Sequence, residues 1–215
     1  MKTNKIKNFT LALTGLLVVS CGSANEKKVK ENSNNDWAAG GKTEKASTGT
    51  NAIVIKKANG EVIGSINESA FSFSYGTTSY TSKLNGDKRK YNGGSDVIEV
   101  KYKEEGFKVR TSDGKLLWKV KITTDKIKIS DNEEGKDPWE IKLNENDKAK
   151  IKKNDNEIGK VKMDSSKKEI EASSGSKSFV ISAGKLSLAY CVLLVDEISD
   201  RDKFIIMTEI IAKGK

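Results

Sequence analysis

The sequence predicts a mainly β fold. It is an antiparallel meander of hairpins that either closes into a barrel or packs on another layer, with an apolar C-terminal helical segment at about 186–213 packed on or inside it. Three observations lead there. A unit of strand, polar turn and strand recurs along the chain. Within each unit apolar and charged residues alternate with a period of two, which gives a sheet one buried and one wet face. The last thirty residues abandon that period for apolar runs that need a place to be buried.

The units begin at Ile53-Val-Ile-Lys-Lys-Ala-Asn-Gly-Glu-Val-Ile-Gly64. They return at Phe107–Ile122, Ile127–Leu143, Ala149–Met163 and, more weakly, Ile170–Ser182, starting about every 20–22 residues. Asn-Gly and Asp-Gly supply the positive φ angles of tight hairpin turns. Phe107, Val109 and Thr111 fall on one face and Lys108 and Arg110 on the other. Trp118, Val120 and Ile122 oppose Lys119 and Lys121. Trp139, Ile141 and Leu143 oppose Glu140 and Lys142. Pro138 ends the longest turn, where a missing N–H matters least. Chained hairpins of this kind form a meander.

Residues 65–106 are less regular. Ala70–Tyr80 alternates with aromatics at Phe71, Phe73 and Tyr75, and Val97–Tyr102 reads as a strand. Lys83–Gly94, polar and glycine-rich around Lys88-Arg89-Lys90, reads as a loop. Leu186–Val195 is nearly all apolar, and Phe204–Ala212 is a second apolar run. Ser199 with Asp202 resembles a capping box, and Phe204, Met207, Thr208 and Ile211 share a helical face. Neither half is long enough to span a bilayer, which takes roughly 20 residues. The expected form is a helical hairpin or kinked helix, with Asp196, Glu197, Asp200, Arg201, Asp202 and Lys203 as a solvated junction.

Ahead of the β region lies a different texture. Lys2, Lys5 and Lys7 precede the uncharged run Phe9–Val19, which has the length of a signal-peptide core. Small Ser20 and then Cys21 follow. Val18-Val19-Ser20-Cys21-Gly22 resembles the bacterial lipobox, with Val18 where Leu is usual. The resemblance implies cleavage between Ser20 and Cys21 and acyl chains on Cys21. Two or more chains hold a protein stably on a membrane where one does not. Residues 22–50 are small, polar and charged, with Trp37-Ala38-Ala39 as their apolar cluster. They read as a tether, because they cannot bury enough surface to offset their ordering entropy. The expected organisation is a signal peptide over 1–20, a lipid-anchored tether over 21–50 and one domain over 51–215. Gly22 is not the Asp that marks inner-membrane retention in some bacteria, so the expected address is the cell envelope, with the outer membrane preferred.

Composition narrows the chemistry. The chain carries +9 at neutral pH and has no histidine. Removal of residues 1–20 takes away three lysines and no acid, which leaves +6. Without His there is no Ser-His-Asp triad and no His-based metal site. Neither phosphate-loop nor dinucleotide-binding glycine patterns occur. Asp131–Asp137, with Glu133 and Glu134, is acidic but lacks the spacing of a calcium loop. With Cys21 acylated, Cys191 has no partner for a disulfide and reads as a small buried hydrophobe. The sequence thus points to no catalytic residue, cofactor or metal. It points to a non-enzymatic binding or scaffolding protein, tied to the membrane through Cys21, whose lysine-rich face meets solvent, anionic lipid or acidic polysaccharide rather than nucleic acid. A hydrolase is the least favoured reading.

The hairpin texture at 113–121, Asp-Gly-Lys-Leu-Leu-Trp-Lys-Val-Lys, together with the apolar tail at 186–212, resembles the tubby-like superfamily, which includes the LURP-one-related proteins and the phospholipid scramblases. The resemblance covers roughly residues 51–213 and is architectural. It implies a barrel around a hydrophobic C-terminal helix and, as the alternative function, lipid binding or handling. The tail of that superfamily is a single apolar helix, whereas Asp196–Asp202 interrupts it here. No residue of this chain matches the basic positions that bind phosphoinositides in some members.

Overall fold

The computed structural model describes residues 52–144 and 148–215. The signal peptide, the cleavage site at Ser20 and Cys21, and the tether expected from the sequence lie outside them. The described chain is a closed antiparallel barrel of 14 strands, each paired with its neighbours in sequence. The strands are β1 (Ala52–Lys57), β2 (Val62–Asn67), β3 (Ser72–Tyr75), β4 (Thr78–Asn85), β5 (Lys88–Gly93), β6 (Asp96–Lys103) and β7 (Gly106–Thr111). The circuit continues through β8 (Leu116–Ile122), β9 (Lys126–Ser130), β10 (Trp139–Asn144), β11 (Lys148–Lys153), β12 (Asn156–Asp164), β13 (Glu169–Ser174) and β14 (Lys177–Ser182). β14 returns to β1 with Val54 opposite Ser182 and Ile55 opposite Ile181, so no sheet edge is left open. Bulges in β1–β2, β7–β8 and β11–β12 add the local twist that closure needs.

The alternation read from the sequence sets which side of the wall is which. Ile55, Val100, Val109, Val120, Ile129, Ile141, Ile151, Val161 and Ile181 point inward and are fully or almost fully buried. The lysines and glutamates of the strands point outward, whereas Arg89 and Ser130 are buried. A bilayer-spanning barrel has an outward apolar band about 25 Å tall and a polar lumen. This wall has the reverse arrangement.

The lumen is filled by the C-terminal segment. A 3₁₀ helix (Leu188–Leu194) runs from one rim to the other, and α1 (Asp200–Ala212) returns. The 3₁₀ helix packs on β10–β13 and α1 on β2 and β3, and the two pack on each other. A barrel of this strand number is wide enough for two helical segments side by side. Inward glycines bring them against the wall. A Cβ on Gly64 would lie 2.5 Å from Phe204 Cζ, and one on Gly159 would lie 2.8 Å from Leu194 Cδ1. Ser199 caps α1 by accepting from the Asp202 N–H, as the sequence suggested.

Several expectations need correction. Lys83–Gly94 is not a loop: it completes β4, makes a turn and forms β5. The inward residues of β5 are Arg89, Tyr91 and Gly93, so its pattern has no aliphatic residue to reveal it. Ala70–Tyr80 is a hairpin, β3 and β4, that turns at Gly76 with φ +56°. The junction before α1 is only partly solvated, since Asp202 and Lys203 are buried. Leu143, placed on the apolar face, sits at the end of β10 and is 55% exposed.

Candidate functional site

The lumen holds one cluster of ionisable groups that could carry chemistry. Beyond its charged first turn, Asp200–Lys203, α1 is apolar except for Thr208 and Glu209, and Glu209 is 1% exposed. Its carboxylate accepts from the Tyr91 hydroxyl at 2.9 Å and the Tyr102 hydroxyl at 2.8 Å. Arg89 Nε lies 3.3 Å from the same carboxylate and donates to Tyr102 Oη at 2.9 Å, while Nη1 donates to Ser82 at 3.1 Å. The guanidinium also lies over the Phe71 ring, 3.6 Å from its centroid. Burial raises the Glu209 carboxyl above the ordinary carboxylate value, against the two tyrosine hydrogen bonds and the Arg89 charge, which lower it. Burial likewise pushes the Tyr102 hydroxyl up to about 12. Every group in the cluster is engaged by another; Glu209, Tyr91 and Arg89 are buried, while Tyr102, Ser82 and Phe71 are half-buried. Its geometry fixes the position of α1 against β5 and β6.

A second polar contact holds the other end of α1. Trp118 Nε1 donates to Asp202 at 3.0 Å, and Arg201 Nε donates to the other oxygen at 2.9 Å. Beside Trp118, the Trp139 indole stands edge-on with ring centroids 6.0 Å apart. Its Nε1 is buried and has no partner among the described residues, while Lys153 Nζ sits 3.7 Å over its ring. Cys191 faces the packed lumen, fully buried, with its thiol pushed up by that burial. This agrees with its reading as a small hydrophobe.

The acidic turn before β10 is committed to the wall. Glu133 forms ion pairs with Lys108 and Arg110, and its carbonyl accepts from Lys119 Nζ at 2.7 Å. Among the described residues no group of carboxylates or thiols is placed to hold a metal ion.

The outer wall is also open to a partner. The register sets lysine directly opposite lysine in adjacent strands. Lys101 faces Lys108, which faces Lys119. Lys142 faces both Lys126 and Lys150. Alternation in the sequence revealed that the lysines share a face. It did not reveal that they line up, because pairing register depends on turn lengths and bulges. The Glu209 cluster was missed as well, although an acid alone within the apolar run Phe204–Ala212 is a visible signal for a buried partner.

No protein-family model, curated protein or solved structure matches this chain. The functional reading therefore stands on the residues themselves.

Proposed function

We propose that this protein is a non-enzymatic, lipid-anchored component of the bacterial cell envelope with a binding or scaffolding role. The observation that carries the reading is the occupied lumen. The chain's own helical segments fill it, and its ionisable groups are spent on holding α1 in place. A binding role then falls to the charged exterior, presented from the membrane by a tether of about 30 residues ending at β1. The anchor rests on the arrangement of Lys2, Lys5, Lys7, the apolar core, Ser20 and Cys21.

The alternative, a lipid-handling barrel of the tubby-like kind, draws support from a barrel closed around an apolar C-terminal segment. A lipid handler needs an apolar cavity for an acyl chain. Phe204, Ile206, Met207 and Ile210 occupy that space here, which favours the scaffolding role. The tail also has two helical parts joined near Asp196, unlike the single helix of that superfamily.

Intact mass spectrometry of the membrane-extracted protein beside a Cys21→Ser variant tests the anchor. The expected wild-type mass lacks residues 1–20 and carries acyl chains, and the variant carries none. A wild-type mass that is full-length, or cleaved without acylation, contradicts the proposal.

A further inference from the structure

We infer that the outer wall between β5 and β12 is a docking surface for an acidic polysaccharide chain, and that the row Lys126–Lys142–Lys150–Lys160 is its centre. The inference deepens the binding role proposed above; the choice of polysaccharide over other polyanions rests on the export reading.

The register builds two rows of lysine that run across the strands. The first is Lys88, Lys101, Lys108 and Lys119 on β5 to β8. The second is Lys126, Lys142, Lys150 and Lys160 on β9 to β12. Successive members stand on strands about 4.8 Å apart. Like charges directly opposite one another destabilise a sheet. Neither wall stability nor core packing accounts for two such rows in succession, and a polyanion that neutralises them does.

The rows differ in how far the chain neutralises them. In the first, Lys88 pairs with Glu99 at 2.9 Å, Lys101 with Asp87 at 4.0 Å, Lys108 with Glu133, and Lys119 with the Glu133 carbonyl. In the second, Lys150 pairs with Glu157 at 2.8 Å and Lys142 lies 3.9 Å from Glu140. Lys126 and Lys160 form no ion pair among the described residues, although Glu140 and Glu157 stand near them. Lys142 and Lys160 are exposed. Lys148 faces Lys162 beside the same row. Among the described residues the second row therefore has fewer carboxylate partners than the first.

Shape favours a flexible chain over a flat surface. Together the rows cover eight of the fourteen strands, more than half the circumference. A bilayer touches one side of a convex wall. A linear polymer can follow the curve and meet successive lysines, releasing a counterion at each contact.

The test is binding of polygalacturonate and of phosphatidylglycerol vesicles to the full chain, at several salt concentrations. A row variant (Lys126→Gln, Lys142→Gln, Lys150→Gln, Lys160→Gln) is compared with a control outside the β5–β12 wall (Lys57→Gln, Lys167→Gln, Lys177→Gln, Lys185→Gln) of the same net charge. The expected result is salt-sensitive polymer binding that falls at least about tenfold in the row variant and stays within about threefold of wild type in the control. The row variant should melt close to wild type, because relief of facing charges offsets loss of the exposed Lys150–Glu157 and Lys142–Glu140 pairs. Equal loss in both variants reduces the effect to net charge and overturns the inference. Binding to vesicles with none to the polymer overturns it in favour of a membrane surface. Neither result depends on acylation of Cys21, which mass spectrometry reads separately on the same protein.

Discussion

Glu209→Ala is expected to destabilise the barrel by about 3–5 kcal/mol, because it leaves a buried charge without its partner. Arg89 would keep its guanidinium among Phe71, Tyr102 and Ser82 with no carboxylate, and the Tyr91 and Tyr102 hydroxyls would lose their acceptors. Urea unfolding measures the loss. In the double variant with Arg89→Met the loss should be smaller than the sum of the single losses, since the stranded charge is gone. The conservative variant Glu209→Gln adds a pH signature. The folded carboxyl value is raised, so its contribution to stability is fully present below the ordinary value and is lost as pH rises through the folded value. Glutamine does not titrate. As pH rises from the ordinary carboxylate range through the raised folded value, wild type should therefore lose ground relative to Glu209→Gln. Surface acids such as Glu133, held low by Lys108 and Arg110, act in the opposite direction but are common to both proteins. A stability gap that is constant with pH, or that moves the other way, would show that the carboxyl is not raised.

The second large effect comes from removing α1. Chain termination after Ser199 deletes Phe204, Ile205, Ile206, Met207, Ile210 and Ile211, all buried. At about 1.5–3 kcal/mol per buried side chain, the loss is on the order of 9–18 kcal/mol. Whole domains are stable by about 5–15 kcal/mol. The truncated chain is expected to show no cooperative thermal transition and to bind a hydrophobic dye. A cooperative transition near that of the full chain would mean that the helix is peripheral and the wall closes without it.

Much of this architecture was legible because most inward positions are aliphatic and most turns carry Gly. The hairpins from Phe107 to Ser182 show a clean period of two, and the capped apolar tail had no plausible place except against the buried face. β5 was illegible because Arg89 breaks the apolar pattern. Its burial is offset by Glu209, 120 residues away in sequence, and no local signal reports a pairing at that distance. Asp202 was read as solvated for the same reason, since its partner Trp118 lies across the lumen. The lysine rows depend on register, which small differences in turn and bulge decide. The pattern revealed a cationic face but not that its charges stand opposite one another.

The C-terminal segment lies inside a closed wall. Cys191 reports on this directly, because it sits in the lumen and the chain has two cysteines in all. In a Cys21→Ser background it is the sole thiol. Its rate of maleimide labelling should be measured across a urea series. Labelling should be negligible under native conditions and rise in step with global unfolding. Rapid labelling that does not depend on urea would show that the thiol, and the segment that carries it, lies outside the barrel.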